Sequence, residues 1–191
     1  MFGTYKSSDV TILLKDITGL VEPLGTRERE AKIQSGTHYS EMLPIEYEPS
    51  PAYLAAYRDA LERYAYQDAL ARYAGLTAEA VACTAEQIWL DKGADTVLVS
   101  LARAGTPIGI LIKRFLAFKY RASVEHYTIS IIRDRGIDRT AMNYILERHR
   151  PEQIQFVDGW TGKGAIQREL NRAMAEYPGV DAGLAVLSDP G

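Results

Sequence analysis

The sequence predicts an open, mostly parallel, doubly wound α/β sheet preceded by an N-terminal helical extension, and three observations predict it. Short apolar or β-rich runs stand at residues 96–101, 127–132, 154–157 and 183–187, and the run 96–101 lacks an alternating polar face, as a strand covered by helices on both sides requires. Helix-forming stretches of about a dozen residues separate them, the pattern of right-handed βαβ units. Between each of the first three strands and its helix lies a small-residue or charged turn, at the C-terminal strand ends where such sheets bind ligands.

The elements follow in order. Residues 9–14 form an apolar run too short for periodicity to separate helix from strand, and Ser7 and Ser8 as caps favour helix. Residues 18–50 read as a long irregular region with scattered glycine and proline. Within it His38-Tyr39-Ser40-Glu41 is either a polar surface loop or part of a hood over a second substrate. Ser50-Pro51 opens a helix, the hydroxyl capping free amides and proline taking the first position. Leu54, Tyr57, Leu61, Tyr64 and Ala65 recur at helical spacing and are expected in the core. Gly75 is expected to end this helix, and Thr77 to cap a second that turns Val81, Ile88 and Leu90 inward. The strand at 96–101 then leads through Ala102-Arg103-Ala104-Gly105-Thr106-Pro107 into a helix at 108–120. The strand at 127–132 leads through the charged loop Arg133-Asp134-Arg135-Gly136 into a helix at 139–149. The strand at 154–157 runs into the Asp158 loop, a helix at 165–177 and the last strand. Residues 1–50 thus read as an extension with a hood-like region, and 51–191 as the α/β domain. Because the sequence stops just after an apolar strand, with nothing to cover that sheet edge, a fragment or one domain of a longer protein is expected.

Composition narrows the function. With 47% hydrophobic and 25% charged residues the chain can bury one substantial core. A net charge of -3 gives no general field for nucleic acid. One cysteine, Cys83, excludes an internal disulfide and offers no zinc cluster, which fits a reducing cytoplasm. Lying inside a predicted helix without a local motif, Cys83 is expected to be a buried structural residue, not a nucleophile. The N-terminus, Met1-Phe2-Gly3-Thr4-Tyr5-Lys6, has no apolar signal region, and no apolar stretch reaches the roughly 18 residues of a membrane span. The tyrosines between Tyr53 and Tyr73 read as core and interface packing, and His126 and His149 receive no role.

The strongest signal is Asp158-Gly159-Trp160-Thr161-Gly162-Lys163-Gly164, between an apolar strand and a helix. Glycines let backbone N–H groups converge on an anion, the helix N-terminus favours negative charge, and Thr161 adds a hydroxyl. Asp158 is placed to accept sugar hydroxyls or to act through a metal-bound water. The alternative is a turn that merely tightens packing. The nucleotide P-loop is set aside, because Val157 stands at its first glycine and Gly164, not Ser or Thr, follows Lys163.

These residues resemble the signature of the phosphoribosyltransferase family, an apolar strand, two acids and a small-residue loop, with Gly159 where the second acid usually stands. The resemblance implies a sheet of the type I phosphoribosyltransferase kind. It further implies that Asp158 and Gly159 meet the ribose, and that Thr161, Gly162, Lys163 and Gly164 hold the 5'-phosphate of phosphoribosyl pyrophosphate. Arg103, Ala104, Gly105 and Thr106 would bind the diphosphate, with magnesium arriving on it; no protein-built metal site is implied. Arg133 and Arg135 match the loop that closes over the transition state, which makes them catalytic candidates with Asp158. From about Asp9 onward the chain also resembles a bacterial family of tellurium-resistance and stress operons, described as phosphoribosyltransferase-like and also labelled cysteine protease StiP. The segments His38-Tyr39-Ser40-Glu41-Met42-Leu43-Pro44, Val99-Ser100-Leu101-Ala102-Arg103-Ala104-Gly105-Thr106-Pro107 and Phe156-Val157-Asp158-Gly159-Trp160-Thr161-Gly162-Lys163-Gly164 carry that likeness. The expected activity is transfer of ribose phosphate to an unidentified nitrogenous acceptor in a stress pathway. The alternatives are a phosphoribosyl-ligand sensor without turnover, which Gly159 favours, and the N-terminal domain of a cysteine protease. Expected partners are the phosphorylated sugar and its acceptor, with no membrane or nucleic acid; a homodimer is left open.

Overall fold

The computed structural model describes residues 4–189, save the side chains of residues 65–67, so the expected inward-facing Ala65 lies outside the described residues. Two compact units make up the chain: Lys15–Ala74, and the residues up to Leu14 together with those from Gly75 onward.

Residues 9–14, expected as helix, contain strand β1 (Thr11–Ile12) instead. Tertiary pairing decides it: β1 lies parallel to the strand containing Tyr127 and Thr128, and the Leu13 amide donates to the Thr128 carbonyl at 3.0 Å. Arg114 grips Asp9 through both carboxylate oxygens, at 3.0 and 2.6 Å, and holds that carboxyl below the usual range.

Within Lys15–Ala74, the stretch expected to be irregular holds ordered pieces. Strand β2 (Pro23–Leu24) is followed by helix α1 (Thr26–Gln34) and by strand β3 (Leu43–Pro44), which pairs parallel with β2. His38 caps a 3₁₀ turn at Tyr39–Glu41, accepting the Ser40 amide at Nδ1. Helix α2 (Pro51–Ala60) starts as expected, with Ser50 Oγ accepting the Tyr53 amide and Pro51 in the first turn. A π-helical stretch, Leu61–Ala69, follows, and then α3 (Leu70–Lys92).

Gly75 and Thr77 therefore lie inside α3 and mark no boundary; an interior glycine costs only about 1 kcal/mol against alanine. The tyrosine row is not core: Tyr53, Tyr57, Tyr64 and Tyr73 are each more than half exposed. Val81 and Ile88 are buried as expected, but Leu90 is 83% exposed, because two residues carry it about 200° around the helix from Ile88. Cys83, two residues from Val81, is exposed for the same reason, contrary to the expectation of burial.

The second unit contains the expected open parallel sheet. Its elements are β4 (Val97–Leu101), α4 (Gly105–Tyr120), β5 (Glu125–Ile129), a hairpin of β6 (Ile131–Ile132) with β7 (Gly136–Ile137), α5 (Arg139–Leu146), β8 (Ile154–Val157), α6 (Ala165–Met174) and β9 (Leu184–Ala185). The five strands run in the order β1-β5-β4-β8-β9, every pair parallel. The strand expected at 127–132 breaks at Ser130, where β6 leaves the sheet to pair antiparallel with β7. Positive φ at Asp134 (63°) and Gly136 (82°) closes that turn.

Side chains alternate along each strand, so the sheet feeds two cores. Val97, Val99, Leu101, Tyr127, Ile129, Ile154 and Phe156 pack with Met142 and Ile145 of α5 and Leu170 and Met174 of α6. Leu98 and Val157 pack on the other face with Val81, Ala85 and Ile88 of α3 and Ile112 and Leu116 of α4. Under α4 this second face is polar. Ser100 Oγ meets His126 Nε2 at 2.7 Å, His126 Nδ1 meets the Asp9 carbonyl at 2.9 Å, and the Thr106 and Thr128 hydroxyls meet at 2.6 Å. Because a carbonyl only accepts, Nδ1 carries the proton and Nε2 accepts from Ser100. Burial pushes the imidazole down to about 4, so it is neutral.

Candidate functional site

Strand β4 has β5 on one side and β8 on the other, so the chain leaves it in one direction and returns in the opposite one. A crevice opens at such a reversal, outside the C-terminal strand ends. The loops following β4 and β8 meet there. The first contains a cis peptide bond between Ala102 and Arg103. A Cβ on Gly105 would stand 2.3 Å from the Val157 carbonyl oxygen, and one on Gly159 would stand 3.3 Å from Ala104 Cβ. Glycine at both positions lets the two loops touch.

Beyond the contact lies an open cavity of about 570 Å³. Arg133, Asp158, Thr161 and Lys163 supply its polar wall, and Ala104, Trp160, Ala165 and Ile166 its apolar wall. Two cations and one carboxylate thus face a common space. The Asp158 carboxyl is raised above its usual range by burial, partly offset by the Gly159 amide donating to Oδ1 at 2.7 Å.

The loop's amides divide into two groups. Asp158 donates to the Ala185 carbonyl, Thr161 to Ser188, and Gly159 to the Asp158 side chain, so these three are already used. The loop is zipped to the segment after β9, where Trp160 and Ser188 form a parallel bridge. Among the described residues no acceptor takes the amides of Gly162, Lys163 or Gly164, which lead into α6. Gly164 has φ 66°, a conformation glycine adopts without strain. The guanidinium of Arg168 donates to the Lys163 carbonyl at 2.7 Å and ties the loop to the first turns of α6.

The residues singled out from sequence are distributed unevenly. Ala104, Arg133, Asp158, Thr161, Gly162 and Lys163 line one cavity. Gly105 and Thr106 are buried behind it, and the Thr106 hydroxyl is turned inward to Thr128. Arg103 is exposed on the first loop, where its carbonyl takes the Thr106 amide. Arg135 parts from Arg133: with Asp134, Arg139 and Glu169 it lines a separate cavity of about 220 Å³ against α6. The turn at Asp134, where φ is 63°, accounts for the split, since a continuous strand would keep residues two apart on one face. The Asp134 amide, donating to the buried Glu169 carboxylate at 2.9 Å, fixes that side of the turn.

Sequence reading passed over Trp160, Ile166 and Arg168. Trp160 sat within the motif and could have been noticed as an aromatic in a loop that otherwise needs small residues. Arg168, five residues past Lys163, gave no such signal. It also gave no role to His126, whose burial shows only when β5 is set beside β4. Neither histidine of the unit that holds Cys83 pairs with it: His126 binds Ser100 and Asp9, and His149 binds Tyr127. Among the described residues no group of three or more His, Cys, Asp or Glu could hold a metal ion, and no helix is long and apolar enough to cross a membrane.

Comparison with known proteins adds three findings. The solved structure of the xanthine-guanine-hypoxanthine phosphoribosyltransferase of Helicobacter pylori aligns over 58% of this chain and 68% of its own, at 19% identity and a TM-score of 0.39. A curated Acinetobacter baylyi protein, "Cysteine protease StiP", is 40% identical over 191 residues, 98% of this chain and 47% of that protein. The chain spans about half the length of this curated relative. The family described as "Tellurite-like stress resistance cysteine protease StiP" matches residues 3–191, and the chain belongs to that family.

Proposed function

We propose that this domain binds phosphoribosyl pyrophosphate in the cavity between the β4 and β8 loops and transfers its ribose phosphate to a nitrogenous acceptor. The observation that carries the reading is the set of three acceptor-free amides, Gly162 to Gly164, beside Lys163 and on the same cavity as Asp158 and Arg133. Backbone amides at a helix N-terminus with a lysine suit the three oxygens of a 5'-phosphate. Asp158 suits two ribose hydroxyls. Ala104, on that cavity, and the exposed Arg103 are the residues of the β4 loop that would meet a diphosphate on C1.

In the reaction the acceptor nitrogen attacks C1, a C–N bond forms, and the C–O bond to the diphosphate breaks. The electron pair leaves with pyrophosphate, and the acceptor's proton passes to water. The protein's part is orientation together with charge stabilisation by Arg133 and Lys163. Magnesium enters with the substrate. A hard cation held by phosphate oxygens and waters needs one or two carboxylates, and Asp158 is the carboxylate on this cavity. When bound, magnesium would neutralise charge on the departing diphosphate.

Calorimetry with phosphoribosyl pyrophosphate and magnesium, followed by pyrophosphate release across a panel of amines and nitrogen heterocycles, tests the proposal. Binding that weakens about 10- to 100-fold in Lys163→Ala, the worth of a charge-assisted contact, is expected. Undetectable binding to the wild-type chain contradicts it. Binding without release across the panel selects the second reading, a ligand sensor. Its supporting observation is Gly159: an acid there would carry its Cβ to 3.3 Å from Ala104, so the packing of the two loops disfavours a second carboxylate.

The family's protease label finds no support in Cys83. A nucleophilic cysteine needs a base within reach, and both histidines of its own unit are engaged elsewhere, His126 with Ser100 and His149 with Tyr127. Peptide hydrolysis by the longer relatives would draw on residues outside this chain. Any hydrolysis by the chain itself should survive Cys83→Ala unchanged.

A further inference from the structure

We infer that Glu169 is a positioning residue, whose buried carboxylate holds the turn between β6 and β7 so that Arg133 faces the cavity. The inference rests on the proposed sugar-phosphate reading and deepens it by naming what sets a cation of that site. Glu169 lies on α6 and is 6% exposed. A carboxylate costs free energy to bury unless it is paired. Among the described residues its one hydrogen bond comes from the Asp134 amide, which donates to Oε2 at 2.9 Å. Arg172 approaches Oε1 only to 3.5 Å, from an exposed side chain. An apolar residue would fill the same space without that cost, so the packing of α6 alone does not call for an acid here.

What the carboxylate holds is a turn that local sterics disfavour. Asp134 has φ 63°, a conformation that residues with a side chain rarely adopt. The Arg135 amide closes the turn on the Ile132 carbonyl at 3.0 Å, and the Asp134 amide, which that bond leaves over, goes to Glu169. Arg133 is exposed and forms no ion pair among the described residues, so the backbone of the turn, not a partner of its own, sets its direction. Helix α6 thereby fixes two parts of the site at once. The amides of Gly162 to Gly164 lead into it, Ile166 borders the cavity, and Glu169, three residues further on the same face, holds the turn that carries Arg133. The spacing between the phosphate loop and the cation is built into one helix, which lowers the ordering cost of binding an anion that touches both.

The test is a double-mutant cycle on the full chain, read by calorimetry with magnesium and either phosphoribosyl pyrophosphate or inorganic pyrophosphate, together with amide exchange of the free protein. Glu169→Met fills the volume but removes the acceptor, and should weaken phosphoribosyl pyrophosphate about 10-fold. Glu169→Gln keeps a carbonyl acceptor and should stay within about threefold of wild type. Arg133→Ala should weaken binding about 10- to 100-fold. Adding Glu169→Met to Arg133→Ala should then cost less than about a further twofold, because the cation being positioned is gone. A purely structural role would weaken both backgrounds equally, and that result overturns the inference, as does equal affinity in wild type and Glu169→Met. In the free wild-type chain the Asp134 amide should exchange at least about 10-fold more slowly than an open amide. Slow exchange supports the anchor and unprotected exchange overturns it, even where Glu169→Met does not fold. Wild-type binding of pyrophosphate but not of phosphoribosyl pyrophosphate counts against the sugar-phosphate reading alone, because the cycle is then completed with pyrophosphate; binding of neither overturns both.

Discussion

At the scale of single residues, the second core depends on a polar seam that hydrophobic patterning did not show. His126 is neutral in the fold, at about 4, against an ordinary 6.5 in the unfolded chain. Its contribution to stability is complete above pH 6.5 and is lost as pH falls from there through about 4, because only the unfolded state then takes up the proton. A loss on the order of 3 kcal/mol across that window follows from about 1.4 kcal/mol per unit. Urea unfolding at pH 7, 6, 5 and 4 measures it, and a His126→Gln variant should show a flatter profile. Gly109 belongs to the same seam: a Cβ there would stand 2.2 Å from Ser100 Oγ and 2.3 Å from His126 Nε2. Gly109→Ala should cost about 3 kcal/mol or prevent folding, through overpacking against a buried hydrogen bond. Asp158 behaves in the opposite sense. Its carboxyl is raised by burial, so the charged form weakens the fold above its titration, and stability from the neutral form is lost as pH rises through it. Asp158→Asn keeps an acceptor for the Gly159 amide and should raise the melting temperature of the free protein by about 1–2 °C, given partial solvent screening. The same variant should lose sugar-phosphate binding, and a neutral effect on both measurements would contradict the role given to this carboxylate.

At the scale of elements, the loop between β8 and α6 is held from both ends. Ala185 at the end of β9 takes the Asp158 amide, Ser188 beyond it takes the Thr161 amide, and Arg168 donates to the Lys163 carbonyl, while the amides of Gly162, Lys163 and Gly164 have no acceptor among the described residues. Arg168→Ala removes an exposed guanidinium and should change unfolding free energy by less than about 0.5 kcal/mol. Ligand affinity should nevertheless fall about 3- to 10-fold, because the loop must then be ordered on binding. Equal affinity in wild type and variant would show that the loop needs no such tie. The strand-loop-helix order of this element was legible beforehand. The strand Ile154–Val157 matched residue for residue. What sequence missed was the competition for amides: a parallel partner supplied from residues 185–188 consumes donors that the motif alone makes available. The hairpin after β5 was likewise hidden. Arg133 and Arg135 looked equivalent in sequence, and only the turn at Asp134 sends them to different cavities.

At the scale of the molecule, the strand order follows from buried β-rich runs alternating with helices, and those runs were readable. Elements without such a pattern were not: β1 is two residues long and exists because β5 offers an edge, and α3 runs through Gly75 because tertiary burial of Val81, Ala85 and Ile88 outweighs one glycine. The site is assembled by topology, since 55 residues separate Gly159 from Ala104 in sequence and the parallel pairing of β4 with β8 brings them into contact. A ligand spanning both loops should act on the whole unit. At a hundredfold excess over its dissociation constant, phosphoribosyl pyrophosphate should stabilise the fold by about 2.7 kcal/mol, a rise of roughly 5–10 °C in melting temperature.

The most direct measurement is a ¹⁵N–¹H correlation spectrum of the labelled chain during titration with ribose 5-phosphate. The amides of Gly162, Lys163 and Gly164 should move downfield together and saturably, while those of Asp158 and Thr161, already bonded to Ala185 and Ser188, should move little. Saturable shifts confined to other parts of the chain, with these three amides unmoved, would contradict the proposed binding.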